Sequence, residues 1–295
     1  MADGVTDFVA DERIVLGGHG ADTVDATIVR SFKALANVSC DSFKSSLAFR
    51  ATTLGNLMRK SLWLWGLFPS RSLTGWKFSD CDMTVKLGDL LFKSVCPKGG
   101  TLNIYNNPYF HEYDLVSFVC RTLEPGDTFI DVGAMGGLYT IIASKLVGEG
   151  GNVISVEPNP ESLQNLRKNI SLNELRNVIL VAKAVGERTG RATLYYNSET
   201  LELTSVFKGE KQHSFEIDMA TVDSIADGAG AVKILKIDTE GYDAAVLEGA
   251  KKTLQRTRFV IIETNDEKTS KALAEFGFAV ETMRPSGYLL GTRWS

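Results

Sequence analysis

Cysteine and histidine are scarce in this sequence of 295 residues, which has four cysteines and three histidines. The cysteines form neither a CxxC pair nor another spacing typical of zinc ligands. The histidines lie too far apart in the sequence to suggest a metal cluster. We therefore expect free, partly buried thiols in a reducing compartment rather than a zinc site.

Long hydrophobic runs are also missing. The most apolar stretch, Leu62–Pro69, is far too short to span a bilayer, and we expect its two tryptophans to pack against the main domain. The first fifteen residues carry early acids and no apolar core segment. The expectation from this pattern is no secretory signal, no transmembrane segment and a cytoplasmic protein.

Basic residues are outnumbered: 32 lysines and arginines face 36 acids, which gives a net charge of -4. Such a balance shows no electrostatic footprint for a phosphate backbone, so nucleic acid is not the expected partner. The hydrophobic share of 44% and the charged share of 23% are ordinary for a globular protein with a sizeable core. The length allows one full domain with an extension.

From about residue 106, short apolar strands alternate with helical patterns. The predicted strands are TFIDVG, GNVISVEP, VILVAKAV, VKILKID and FVIIET. Such alternation, with near-continuous apolar strands, predicts an α/β fold whose parallel sheet is covered on both faces. At the C-terminus, FGFAVETM and YLLGTRW flank the turn Arg284–Gly287 and predict an antiparallel hairpin with a four-residue loop.

The segment DVGAMGG, Asp131–Gly137, leads from the first of these strands into a helix. In open parallel sheets, ligands bind beyond the carboxyl ends of the strands. Gly133 and Gly137 would let the backbone approach a ligand, and the helix N-terminus would face a carboxylate. Asp131 supplies the negative charge that an ammonium group requires. The amino-acid tail of S-adenosylmethionine carries both groups, so the segment predicts a pocket for this methyl donor.

A nicotinamide cofactor is the alternative, because it also uses a glycine-rich turn. Its GxGxxG pattern would need glycines where Met135 and Leu138 stand, so the loop disfavours it. Glu157, at the end of the second strand, would grip ribose hydroxyls in either cofactor class. Each residue alone could also be a turn, a helix cap or a solvated strand end. Together they favour the methyl donor.

From about His111 to the C-terminus the sequence resembles the FkbM family of methyltransferases. The resemblance is carried by HEYDLVSFVCRTLEPGDTFIDVGAMGGLYT, SVEPNPESLQNLRKNISLN, ATVDSI, ILKIDTEGYDAAVLEGA and FVIIET. It implies an S-adenosylmethionine-dependent enzyme with a Rossmann-like methyltransferase fold, in which a mainly parallel seven-stranded sheet ends in the antiparallel hairpin. It also implies O-methylation of a hydroxyl on a small molecule, sugar or glycolipid. The family usually has asparagine where Met135 stands, so donor contacts differ in detail.

The expected donor contacts lie in four parts of the sequence. They are Glu112, where the family has a glutamate; Asp131, Gly133, Ala134, Met135, Gly137, Tyr139 and Thr140; Glu157 and Pro158; and Asp238. Ala184 and Val185 are added because they end the predicted third strand, where the adenine ring usually rests.

The catalytic candidates follow the fourth and fifth predicted strands. Alternation puts Lys236 and Asp238 on one face, and Glu240 follows in the turn. We expect Asp238 and Glu240 to orient the acceptor, with Glu263 as an alternative base, and which of them takes the proton stays open. An ordinary ion pair and helix cap would explain the same residues. Three carboxylates could also hold Mg²⁺ or Ca²⁺, but without a tight acidic loop we favour metal-free transfer.

The first 105 residues predict an α+β extension to a methyltransferase domain over residues 106–295. A helical period runs through Ile28, Phe32, Leu35 and Val38, and the strands MTVKL and TLNIY follow. The extension is expected to shape the acceptor cleft or to form a homodimer. Thr204 and Ser205 are expected in a loop near the donor or acceptor. Methylation of a protein side chain or RNA, and a non-catalytic binding module on the same fold, stay open.

Overall fold

The computed structural model describes part of the chain. The described residues are 38–40, 83–87, 90–94, 112–197, 200–207, 209, 213–264, 266–284 and 286–294. The chain divides into two compact units, residues 1–113 and 114–295.

In the first unit, three strands form an antiparallel sheet in the order β1-β2-β3. They are β1 (Val38–Cys40), β2 (Met83–Leu87) and β3 (Leu90–Ser94). Strand β2 is the predicted strand MTVKL, whereas β3 was not predicted. Val38, expected to continue a helical period, pairs with Val85 of β2, so that expectation is wrong at Val38 because sheet pairing overrides the local pattern. The rest of that predicted helix and TLNIY lie outside the described residues.

From residue 113 onward, strands and helices alternate except where β6 to β10 follow one another, where α5 precedes α6 and where β13 precedes β14. The strands are β4 (Thr128–Val132), β5 (Asn152–Val156), β6 (Val178–Val181), β7 (Ala184–Val185), β8 (Gly190–Asn197), β9 (Thr200–Ser205), β10 (His213–Ala220), β11 (Val232–Ile237), β12 (Thr257–Ile262), β13 (Ala279–Thr282) and β14 (Leu289–Thr292). The helices are α1 (Tyr113–Thr122), α2 (Leu138–Val147), α3 (Pro160–Leu172), α4 (Val222–Ile225), α5 (Asp243–Glu248), α6 (Lys251–Gln255) and α7 (Glu267–Glu275). Among the described helices, none has the length and apolar character needed to cross a membrane.

Seven of these strands form the main sheet of the second unit, in the order β13-β14-β12-β11-β4-β5-β6. Strands β12, β11, β4, β5 and β6 pair in parallel, and β14 runs antiparallel to both of its neighbours. The predicted mainly parallel sheet with an antiparallel C-terminal hairpin is therefore confirmed. Strand β4 lies near the middle, and all five of its residues are buried. Burial of both faces explains why its sequence is an unbroken apolar run around Asp131.

The helix that follows β4 is buried on most of its surface. Eight of the ten residues of α2 are buried, so this helix is apolar nearly all the way round. Helix α3 is different, because only one face of it is covered. It begins at Pro160 after the N-cap Asn159, whose side chain accepts the backbone N–H of Glu161 at 2.8 Å and of Ser162 at 3.3 Å. The burial of α2 and the N-cap of α3 hold the loops that precede these two helices.

The predicted third strand, VILVAKAV, is wrong as a single element. Strand β6 ends at Val181, and the exposed residues Ala182 and Lys183 follow it. Ala184 and Val185 then pair in parallel with β10 in a second, four-stranded sheet of order β7-β10-β8-β9. The chain leaves the main sheet at its edge and pairs again elsewhere, so the two residues expected at the adenine ring belong to the second sheet.

The prediction of a loop at Thr204 and Ser205 is also wrong, because both residues end strand β9 of the second sheet. Pairing with β8 places them there: Ser205 lies opposite Tyr195. The buried Ser205 side chain donates a hydrogen bond to the carbonyl of Glu240, which lies outside the sheet.

The hairpin loop at the C-terminus is held at its base and at its tip. The N–H of Met283 donates to the carbonyl of Tyr288 at 2.8 Å, which closes the predicted four-residue loop. The N–H and hydroxyl of Ser286 donate to Oδ2 of Asp114 at 3.1 and 2.7 Å. Helix α1 is thereby attached to the tip of the hairpin.

Gly133 shows how closely the end of β4 packs against the end of β11. Its φ is +84°, and a Cβ atom there would lie 1.8 Å from the carbonyl oxygen of Asp238. The N–H of Asp238 in turn donates to the carbonyl of Val132 at 3.0 Å. No side chain fits between these two backbone segments, so glycine is required.

We predict that Gly133→Ala lowers the free energy of unfolding by roughly 3 kcal/mol or more, since it combines left-handed strain with a clash against backbone. Gly126→Ala is the matched control, because Gly126 also has a positive φ, +94°, but no atom lies within 4 Å of its Cβ position. It should cost only about 1 kcal/mol. Urea denaturation of both variants measures the difference, and equal costs would contradict the packing argument.

Candidate active site

The buried carboxylate of Asp131 lies at the end of β4 and is fully shielded from solvent. Its Oδ2 accepts the hydroxyl of Thr140 at 2.7 Å, and Thr140 Oγ1 lies 2.7 Å from the hydroxyl of Ser155. Its other oxygen, Oδ1, is buried and has no hydrogen-bond partner among the described residues. Burial raises the pKa of Asp131, and the nearby Lys236 charge opposes this increase. The uncompensated oxygen is suited to a cationic group.

The loop from β4 to α2 is held by backbone hydrogen bonds. The N–H groups of Gly133 and Ala134 both donate to the carbonyl of Val156 at 3.0 Å. Gly137 has a φ of +90°, and a Cβ atom there would lie 2.5 Å from the side chain of Leu166. Sequence reasoning assigned the glycines to close approach of a ligand. The structure shows that the space where a side chain would stand is filled by protein at both Gly133 and Gly137.

Glu157 joins this loop to the next one. Its Oε2 accepts the N–H of Met135 at 2.7 Å, and its Oε1 accepts the N–H of Asn159 at 2.7 Å. Met135 has a φ of +49°, a left-handed conformation that costs energy for a residue other than glycine. Its bond to Glu157 offsets that cost. Each carboxylate oxygen keeps a second lone pair, with which it could accept a ligand hydroxyl.

Three acids meet where β11 and β12 end. One carboxylate oxygen from each of Asp238, Glu240 and Glu263 lies within 4.8 Å of the other two. The strands place them, since the N–H of Glu263 donates to the carbonyl of Ile237 at 3.0 Å. We call Asp238, Glu240 and Glu263 the acid cluster.

Lys236 brings a positive charge to the acid cluster. Its side chain is 2% exposed, and its Nζ lies 2.8 Å from Oδ2 of Asp238. The same ammonium lies over the ring of Tyr139, 5.0 Å from its centroid. The hydroxyl of Tyr288 also reaches Oδ2 of Asp238, at 3.4 Å. The prediction that Lys236 and Asp238 share one face is confirmed, and their contacts fix the orientation of the Asp238 carboxylate.

The charges of the cluster act on Glu263. Loss of water around its carboxyl group raises the pKa of Glu263, and the hydrogen bond and negative charge of Asp238 and the charge of Glu240 raise it further. The positive charge of Lys236 opposes this increase of the pKa. Glu263 therefore holds a proton more readily than an ordinary glutamate does.

The turn that carries Glu240 is fixed from two sides. Glu240 and Gly241 both have positive φ, +53° and +92°. The hydroxyl of Ser205 donates to the carbonyl of Glu240 at 3.2 Å. On the other side, the N–H and hydroxyl of Thr239 donate to Oδ1 of Asp243 at 3.1 and 2.8 Å. The second sheet and helix α5 thus both hold this turn.

Sequence reasoning missed Asp243 and Tyr288. Asp243 is buried and supports the Glu240 turn from the first residue of α5, a position in which an acid also stabilises a helix N-terminus. Its place three residues after Glu240 was the available signal. Tyr288 reaches Asp238 from fifty residues away along the chain. No local pattern reports such a contact.

The remaining expected donor residues lie in different elements of the chain. Pro158 is half-buried between Glu157 and Asn159, and Glu112 directly precedes α1 with a φ of +43°. Ala184 and Val185 are buried in the second sheet. Asp131 and the acid cluster do come together, because the charges of Lys236 and Asp238 both act on the pKa of Asp131.

The sheet order and the buried acid beside a glycine loop, at the carboxyl end of a central strand, define the class of protein: an S-adenosylmethionine-dependent methyltransferase. Residues 131–290 match the family model described as Methyltransferase FkbM domain, which is more than half of the chain. The chain belongs to the FkbM methyltransferase family.

Curated relatives are also methyltransferases. Hexuronic acid methyltransferase AglP of Haloferax volcanii is 23% identical over 191 residues, which are 62% of this chain and 77% of that protein. A probable cobalt-precorrin-6B C(15)-methyltransferase (decarboxylating) of Sulfolobus acidocaldarius is 30% identical over 179 residues, 57% of this chain and 81% of that protein.

Solved structures with a similar arrangement include two methyltransferases. One is from Geobacter sulfurreducens, with 15% identity, a TM-score of 0.43 and coverage of 66% of this chain and 84% of that chain. The other is methyltransferase FkbM from Methylobacillus flagellatus KT, with 17% identity, a TM-score of 0.40 and coverage of 60% and 50%.

We predict a pH-dependent contribution of Glu157 to stability. Burial raises the pKa of Glu157 from 4.5 to about 7, so between these pH values the folded protein holds a proton that the unfolded chain has released. The free energy of unfolding should therefore fall as pH rises through this window, by on the order of 3 kcal/mol from this residue. Urea denaturation at pH 5 and pH 8 should show a smaller decrease for Glu157→Gln than for the wild type. Equal decreases in the two proteins would contradict a raised pKa of Glu157 in the folded state.

Proposed function

We propose that this enzyme transfers a methyl group to a hydroxyl of a small molecule, sugar or glycolipid. The observation that carries the proposal is the acid cluster, in which three carboxyl groups meet beside one buried lysine. A hydroxyl must lose its proton when it is methylated, and a carboxylate within hydrogen-bond reach can take it. The cluster lies at the carboxyl end of the sheet, next to residues 133–137 between β4 and α2, which we call the donor loop.

The residues around Asp131 fit S-adenosylmethionine. Oδ1 of Asp131 is buried without a partner, and the donor's ammonium group would satisfy it. The N-terminus of α2 follows the loop and favours the donor's carboxylate, and Glu157 keeps lone pairs for ribose hydroxyls. When bound, S-adenosylmethionine supplies an electrophilic methyl group on sulfur. Roles for Glu112, Pro158, Ala184 and Val185 in donor binding stay predictions.

Asp238 and Glu240 orient the acceptor hydroxyl, and one of them receives its proton as the new carbon–oxygen bond forms. Lys236 and Tyr288 both bind Oδ2 of Asp238, so this carboxylate is held in one orientation. The raised pKa of Glu263 leaves it protonated at higher pH than an ordinary glutamate. Glu263 is thus a proton donor to its neighbours in the resting enzyme, which favours the other two acids as the base.

Charge supports a neutral nucleophile. The cluster has three acids and one lysine, so a negatively charged acceptor group would be repelled. The similarity to a hexuronic acid methyltransferase supports a sugar acceptor. On electrostatic grounds, a ring hydroxyl fits the cluster better than a sugar carboxylate does.

Metal-free transfer is part of the proposal. Asp238, Glu240 and Glu263 have the oxygen ligands that Mg²⁺ and Ca²⁺ prefer. The ammonium of Lys236, 2.8 Å from Asp238, already supplies a cation there. A cytoplasmic location, a homodimer and the role of residues 1–105 beside a domain over 106–295 stay predictions.

We predict that the product of the reaction is a methyl ether of a sugar hydroxyl. Purified enzyme and labelled S-adenosylmethionine are offered methyl glycosides, free uronic acids, a peptide mixture and total RNA. Mass spectrometry should find an alkali-stable methyl ether on a glycoside. Asp238→Asn and Glu240→Gln should both lower turnover, and the variant that removes the base should lower it by roughly 100-fold. The exposed Glu275→Gln is the matched control and should leave turnover unchanged. An alkali-labile methyl ester, or label only in peptide or RNA, would contradict the proposal.

We predict that the charge of Asp131 contributes to the binding of S-adenosylmethionine. Asp131→Asn keeps the shape of the side chain and removes its charge, so calorimetric titration should show S-adenosylmethionine binding weakened roughly 10- to 100-fold. Because burial disfavours the charged form of Asp131, the variant should unfold at no lower urea concentration than the wild type. Undiminished donor binding would rule out an ammonium contact at this residue.

A further inference from the structure

Phe207 places a large exposed aromatic ring beside the acid cluster. The residue is 56% exposed, although it follows the buried Ser205 by only two positions. Its ring lies against the Glu240 turn, since a Cβ atom on Gly241 would be 3.7 Å from Phe207 Cε2. The ring is therefore close to the groups that we propose orient the acceptor.

Phe207 is fixed in this position by named contacts. Its backbone N–H donates to the hydroxyl of Ser205 at 3.2 Å, and the same hydroxyl donates to the carbonyl of Glu240 at 3.2 Å. Its ring meets the ring of Tyr242 edge to face, with centroids 6.3 Å apart. An exposed ring attached in this way does not lose much mobility when a ligand covers it.

Tyr242, which supports the Phe207 ring, is itself well held. It packs with the small apolar cluster of the second sheet, and a Cβ atom on Gly186 would lie 2.9 Å from its ring. Its hydroxyl donates to Oε2 of Glu187 at 2.8 Å. The two rings are thus linked to Glu187 through the Tyr242 hydroxyl and to the backbone of the Glu240 turn through Phe207.

We propose that Phe207 and Tyr242 form a stacking platform for the sugar ring of the acceptor, an assignment that rests on the proposed function. A pyranose has an apolar face of C–H groups and an edge of hydroxyls. The face would cover the exposed Phe207 ring, while the hydroxyls at the edge would be offered to the acid cluster beside the Glu240 turn. A plain hydrocarbon chain would cover the ring but bring no hydroxyl to the acid cluster, so the sugar ring is the better match.

The test uses saturation-transfer difference NMR with methyl and octyl β-D-glucopyranoside, in the presence of S-adenosylhomocysteine. The ring C–H protons should receive saturation from the wild type. Their signal should fall several-fold in Phe207→Ala and return in Phe207→Trp. Ile179→Ala is the matched control, because Ile179 is equally exposed, at 55%, on strand β6. It should behave as the wild type does. Affinity for S-adenosylhomocysteine should be the same in all four proteins.

Kinetics give the second measurement, with whichever methyl glycoside the enzyme methylates. Phe207→Ala should raise KM roughly tenfold and change kcat less, since stacking contributes to binding before and during transfer. An unchanged KM would overturn the platform and leave O-methylation intact. Saturation of the octyl chain alone, or of no glycoside at all, would also overturn it. Absence of transfer to any hydroxyl would instead overturn the proposed function.

Discussion

A buried lysine connects the two halves of the candidate site. Lys236 is 2% exposed, bonds to Asp238 and acts on the pKa of Asp131. Without its charge, Asp131 would be a buried carboxylate near the negative acid cluster with no cation beside it, which is costly. The strand that carries Lys236 pairs with β4, so the donor loop and the acid cluster share one support.

This arrangement also explains the backbone around the site. Gly133 lets β4 end against the carbonyl of Asp238, and Glu157 holds the loop that follows. Ser205 reaches from the second sheet to the Glu240 turn. Each contact fixes one backbone segment against another, so the side chains of the site keep their distances from one another. Positioning of this kind is what a methyl transfer requires, because the reacting groups must lie in line.

Local patterns in the sequence predicted much of this, and distant contacts account for the rest. Strands β4, β5, β11 and β12 were visible because buried strands are continuous apolar runs. The break between β6 and β7 was not visible, since Ala182 and Lys183 do not differ from strand residues in type. Phe207 and Tyr288 were missed because they reach the site from other parts of the chain.

A crystal structure of the enzyme with S-adenosylhomocysteine bound tests the central claim most directly. We expect the ammonium group within about 3.2 Å of Oδ1 of Asp131, and the ribose hydroxyls on Glu157. We also expect the sulfur to face Asp238 and Glu240. A sulfur that faces away from these two carboxylates, or an ammonium group bound elsewhere, would contradict the account.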